Sequence, residues 1–176
     1  MDAAFDVAAL RRAAQALAPT RVSEVSVRDT YYLTARDPDL IFRHRFDVER
    51  QELTLKRRDG GDTEVRLEVN LHLDQAFGDQ GAAVAAFLRP LGLAWQGALH
   101  KDILVFYYPD CEVVYYAATA LGQTLRCVEF EALGTLDLTQ ARATLQRYEE
   151  ALGFAGRARA RRSLFDLLLA PHMPPP

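Results

Sequence analysis

The sequence predicts an α+β domain built on about eight antiparallel strands, with helices laid against their apolar faces. Three observations carry this. Residues 63–73 alternate without a break: Glu64, Arg66, Glu68, Asn70 and His72 fall on one face, and Val65, Leu67, Val69, Leu71 and Leu73 on the other. That period of two belongs to a strand with one buried side. The run is preceded by Asp59-Gly60-Gly61-Asp62, a hairpin signal, because glycine tolerates the positive φ such turns need. Helical spacing interrupts the strand pattern in only a few places, so most connections are short and the strands form a barrel or a strongly curved sheet.

The elements follow in chain order. Residues 3–5 read as a short strand. Asp6 is a suitable N-cap for a helix through about Ala18, ended by Pro19, with Val7, Leu10, Ala14 and Leu17 as its apolar stripe. Residues 22–33 form a strand in which Val25 and Val27 alternate with Glu24, Ser26 and Arg28. Asp37-Pro38-Asp39 is a turn signal. Strands follow over 40–48, 51–58 and 63–73. The period then changes: Val84, Phe87, Leu88 and Leu91 mark a short helix over 81–91, with Pro90 near its end. Residues 99–108 are a strand. Residues 112–120 and 124–133 are a hairpin about Gly122. Leu138, Ala141, Leu145, Tyr148 and Leu152 mark a helix over 138–152, and residues 163–170 a short apolar helix before a proline-rich end.

Composition narrows the function. The 176 residues suit a single domain over 1–176 with a good-sized core. With 21 Lys+Arg against 24 Asp+Glu the net charge is −3, so overall charge gives no sign of nucleic-acid binding. No apolar run approaches the roughly 20 residues a membrane-spanning helix needs. The N-terminus lacks the basic start and long apolar stretch of a secretory signal, and a cytoplasmic protein is expected. Cys111 and Cys127 are expected as reduced thiols within or beside strands.

One polar sheet face collects Arg43, Arg45, Lys56, Arg58 and Arg66, with Glu68 among them. A face rich in arginine, whose guanidinium forks onto phosphate oxygens, differs from an ordinary solvated face of mixed polar residues. His44 alternates away from these arginines. Further on, Glu129 and Glu131 share a face of their strand. Paired carboxylates suit hard divalent cations such as Mg²⁺ and Mn²⁺. The polar faces either look at solvent or line a lumen; basic groups and carboxylates around one cavity would suit a polyphosphate with bridging metal.

Several motifs occur in a fixed order. They are Asp29-Thr30-Tyr31-Tyr32, Phe42-Arg43-His44-Arg45, Leu53-Thr54-Leu55-Lys56, Arg66-Leu67-Glu68, Lys101, Leu121-Gly122, Glu129-Phe130-Glu131 and the closing Ser163–Leu168 segment. In this order the chain resembles the triphosphate tunnel metalloenzyme (CYTH) superfamily, which includes thiamine triphosphatases, inorganic triphosphatases and class IV adenylate cyclases. The resemblance implies an eight-stranded antiparallel β tunnel with a polar lumen and helices packed outside. It implies phosphate binding by Arg43, Arg45, Lys56, Arg66 and Lys101, and metal binding by Glu68, Glu129 and Glu131, with Mg²⁺ or Mn²⁺ as cofactor. No individual catalytic residue is assigned.

The departures are specific. The family's opening Glu-x-Glu-x-Lys strand is replaced by Met1-Asp2-Ala3-Ala4-Phe5. Asn70 stands where the second glutamate of Arg-x-Glu-x-Glu is expected, Ile103 where an arginine is, and Leu164 where a tyrosine is. The phosphate-gripping half is better kept than the metal-holding half. Two functions are therefore expected as alternatives: metal-dependent hydrolysis of a triphosphate, or binding of a polyphosphate, nucleotide or other anion without turnover. The partner is a small anionic ligand, neither nucleic acid nor membrane, and homodimerisation stays open. The run Arg157, Arg159, Arg161 and Arg162 reads as a solvated helix start, with closure over an anion as the alternative.

Overall fold

The computed structural model describes residues 5–57, 68–134, 137–160 and 162–173. The chain runs α1 (Val7–Ala16), β1 (Arg21–Thr34), β2 (Asp37–Phe46), β3 (Gln51–Arg57), β4 (Glu68–Leu73), α2 (Gly81–Leu88), β5 (Leu93–Tyr107), β6 (Cys111–Ala120), β7 (Gln123–Ala132), α3 (Leu138–Ala151) and α4 (Leu164–Leu168). The strands form a seven-stranded antiparallel sheet in the order β4-β3-β2-β1-β5-β6-β7. The α+β class is as expected, but among the described residues the sheet is open, with β4 and β7 at its ends. The strand expected over residues 3–5, the turn at Asp59–Asp62 and the first half of the 63–73 strand fall wholly or mainly outside the described residues.

Local signals place most element ends. Asp6 caps α1 through its carboxylate, which accepts from the Ala9 N–H, satisfying a donor with no partner inside the helix. Asp137 does the same for α3 at Thr139. Ser163 and Asp166 form a reciprocal capping box at α4. Pro90 stops α2 at Leu88, and a 3₁₀ turn over Arg89–Leu91 leads into β5.

Two boundaries depart from expectation. The chain reverses at Ala35–Arg36, and Asp37-Pro38-Asp39 lies within β2. Asp37 makes a turn-like side-chain bond to the Asp39 N–H; such local bonds resemble a turn in sequence without reversing the chain. β5 begins six residues before the expected start at 99, through Ala94, Gly97 and Ala98, which carry little β signal. Trp95 holds this stretch by packing edge-on against Phe165 of α4, and a Cβ at Gly97 would lie 2.4 Å from its ring.

Two compact units divide the chain. The first holds Met1–Val25, Asp102–Ala117 and Thr124–Arg159. Its core gathers Leu10 and Ala14 of α1, Phe106 of β5, Val113 of β6, Tyr148 of α3 and Leu152 just after it, with Val128 and Phe130 of β7 against them. Cys111 is buried there as a free thiol, and burial pushes it up to about 12, so it remains protonated and inert.

The second unit holds Ser26–Lys101, Ala118–Gln123 and Ala160–Pro176. Its apolar core lies on one side of the strands, where Tyr32 and Leu53 pack against Val84 and Leu88 of α2. On that side His44 is buried, its Nε2 2.9 Å from Gln51 Oε1. The same oxygen accepts from the Gln80 N–H, and Gln51 Nε2 donates to the Gly78 carbonyl. The amide orientation is thereby fixed, and His44 Nε2 must carry the hydrogen. His44 does alternate away from the arginines, and its role is to tie β2 to the α2 side.

Candidate functional site

Strand pairing in the second unit builds a polar face opposite that core. Asp29 pairs with Arg45 and Tyr31 with Arg43 across β1 and β2. Arg43 lies against Thr54 and Arg45 against Glu52 across β2 and β3. Lys56 lies against Glu68 across β3 and β4. Because side chains alternate, all of these point the same way. Phe165 of α4 packs on Tyr31, with ring centroids 5.5 Å apart.

Charges are buried on this face. Asp29 is 0% exposed and holds two cations at once. Arg45 donates from Nε to Oδ1 at 2.7 Å and from Nη2 to Oδ2 at 2.8 Å, and Lys101 Nζ lies 2.8 Å from Oδ2. Burial alone would push the Asp29 carboxyl up, but Lys101 and the Arg45 fork hold it well below the usual carboxylate range. Burial pushes the Lys101 ammonium down, against the pull of Asp29.

Arg43 is arranged differently. Its Nη2 donates to Glu52 Oε1 and Thr54 Oγ1, both at 2.9 Å. Its Nε is buried with no hydrogen-bond partner, although Arg43 as a whole is only 8% exposed. An unpaired buried donor costs about 1–3 kcal/mol, and its natural complement is an acceptor supplied from outside. Lys56 is half-buried and lies 2.5 Å from Glu68. Burial pushes it down to about 8, Arg43 adding to the effect and Glu68 opposing it.

The structure thus brings Arg43, Arg45, Lys56 and Lys101 onto one face, as the sequence indicated, together with Glu68. Arg66 and Arg58 lie outside the described residues. Glu129 and Glu131 belong to the first unit, exposed on one face of β7 and alternating with Val128 and Phe130. The buried carboxylates Asp29 and Glu52 were given no role in the sequence reading, although Asp29 opens one of its motifs. Glu52 shares its parity with Thr54 and Lys56, so alternation contained that signal. Asp29 needed the β1–β2 register.

The carboxylates are of the right chemical type for Mg²⁺ or Mn²⁺. Glu68 is engaged by Lys56, and no group of three His, Cys, Asp or Glu among the described residues could hold an ion. Among the described residues the face presents four cations, two arginines and two lysines, against three carboxylates, Asp29, Glu52 and Glu68. This leaves one positive charge and one open arginine donor, which is the equipment of an anion-binding surface.

No helix among the described residues is long and apolar enough to cross a membrane. No family model matches the sequence, and no curated protein matches it. Solved structures share the fold. A conserved hypothetical protein from Pyrococcus furiosus superposes with a TM-score of 0.72 at 18% identity, covering 93% of this chain and 95% of that one. A Pyrococcus horikoshii protein gives 0.71 at 14% identity, covering 93% and 94%. A Bacillus halodurans protein provisionally described as an adenylate cyclase gives 0.64 at 16% identity, covering 94% of each chain. At these identities the likeness is one of fold.

Proposed function

We propose that this protein binds a phosphate-chain anion, an inorganic triphosphate or the triphosphate of a nucleotide, on the polar face of β1–β5, and that this face lines a tunnel of the CYTH type. The observation that carries the reading is the buried, unpartnered Nε of Arg43, flanked on its own face by Lys56 and Lys101. The motif order Arg43-x-Arg45, Lys56, Lys101 supports it. So does the shared fold with a protein provisionally described as an adenylate cyclase, an activity whose substrate carries a triphosphate.

Hydrolysis is a second reading, which rests on the exposed pair Glu129 and Glu131. It would need a divalent metal, which could neutralise the phosphate and lower the pKa of an attacking water. Such a metal could arrive with the phosphate chain as part of the ligand.

The test is calorimetric titration with inorganic tripolyphosphate, without metal and then with Mg²⁺, with released phosphate assayed in parallel. Saturable binding that weakens as salt is raised is expected. Absence of binding at low ionic strength under both conditions would sink the reading. Metal-dependent phosphate release would establish turnover.

Lys56 gives the binding a pH dependence. It is pushed down to about 8, and an anion favours its protonated form. Affinity should therefore fall as pH rises through about 8, approaching tenfold per unit beyond it. The Lys56→Gln protein should bind more weakly at pH 7 and lack this component. Equal pH profiles for the two proteins would show that Lys56 does not face the ligand.

A further inference from the structure

The two arginines of the polar face present the same fork in different states. Arg45 offers Nε and Nη2 side by side, and Asp29 fills both with one carboxylate. Arg43 offers the same pair of donors, but its fork is half-filled. Glu52 and Thr54 both accept from Nη2, and Nε has no partner. Register explains the difference. Glu52 sits directly across from Arg45, yet Arg45 already has Asp29, so Glu52 reaches diagonally to Arg43. At 4% exposure it is largely withdrawn from water as an alternative partner.

A phosphate approaching Arg43 can take one hydrogen bond from Nε, or two parallel bonds from Nε and Nη2 together. The second geometry is the strong one for guanidinium and phosphate, and it requires one of the two oxygens that Nη2 now serves, Glu52 Oε1 or Thr54 Oγ1, to withdraw. We propose that Glu52 is an internal competitor for Arg43, which the ligand's phosphate displaces from Nη2, and that this residue sets the affinity of the anion site. The inference rests on the phosphate-binding reading above and adds to it the residue that opposes binding. The negative charge of Glu52 weighs against every anion that enters, and its hold on Nη2 keeps Arg43 oriented while the site is empty. A site so built releases its ligand readily, because the displaced carboxylate waits beside the arginine to return.

The experiment is titration of the wild-type and Glu52→Gln proteins with inorganic tripolyphosphate at fixed pH and salt. Glutamine keeps the shape and an oxygen that can accept from Nη2, but loses the charge and the stronger bond. Tripolyphosphate is expected to bind Glu52→Gln about tenfold more tightly, and the dissociation rate constant should carry most of the change. Weaker or unchanged binding by Glu52→Gln would overturn the proposal and make Glu52 a support that positions Arg43 for the ligand. If neither protein binds, the anion-site reading itself fails and this inference with it. Should Glu52→Gln not fold, Glu52→Ala, which leaves Nη2 its bond to Thr54, carries the same expectation and the same overturning result.

Discussion

Replacing Arg43 with alanine should weaken tripolyphosphate binding about 100-fold, more than any other single change on the polar face. The substitution removes the open Nε donor and the Nη2 that completes its fork. Hydrogen bonds to charged groups are worth about 1.5–3 kcal/mol each, and about 1.4 kcal/mol is a factor of ten. It also leaves Glu52 buried without its cation, adding repulsion where the anion should sit. Arg12→Ala is the control: it changes the net charge equally, at an exposed position on α1. A shared loss in both variants would attribute binding to overall charge. A loss confined to Arg43→Ala would tie it to this face.

Asp29→Asn should be the most destabilising substitution on the face. The carboxylate is fully buried and serves Arg45 twice and Lys101 once. Removing one member of a buried charge cluster costs about 3–5 kcal/mol, because the others are left uncompensated. For a chain of this length the melting temperature should fall by about 10 °C. Acid should reveal the same group. Its pKa lies below the unfolded value of about 4, so the unfolded chain binds the proton more readily. The stability contributed by Asp29 is therefore present above about pH 4 and is lost as pH falls through the lower folded value. Wild-type stability should drop more steeply than that of Asp29→Asn below pH 4 in a series of thermal melts. Parallel curves would mean that Asp29 does not hold its charge against burial.

What the sequence disclosed and what it withheld divide along one physical line. Alternation shows which residues share a strand face, so Arg43 with Arg45, Lys56 with Thr54, and the opposed His44 were legible. Capping chemistry at Asp6 marked the start of α1, because that bond is local. Register is not local. Nothing in residues 21–34 alone says that Asp29 will meet Arg45 and Lys101, and the arginines read as two free phosphate ligands when one is already matched. The Asp37-Pro38-Asp39 signal misled for the opposite reason: its side-chain bond is local, but the reversal at Ala35–Arg36 is set by pairing between β1 and β2.

The Asp29 cluster also has a place in time. Its bond to Arg45 spans 16 residues within one hairpin, whereas Lys101 joins from a strand that enters the chain only after β4 and α2. Closing a short loop costs less chain entropy than closing a long one, and contacts of low sequence separation tend to form first. The hairpin can therefore zip with Arg45 already neutralising Asp29, and Lys101 docks late onto a carboxylate that is waiting for it. Replacing Lys101 with methionine should then leave the refolding rate nearly unchanged and speed unfolding, the pattern of an interaction made after the transition state. A slowed refolding limb would place the docking of β5 before it.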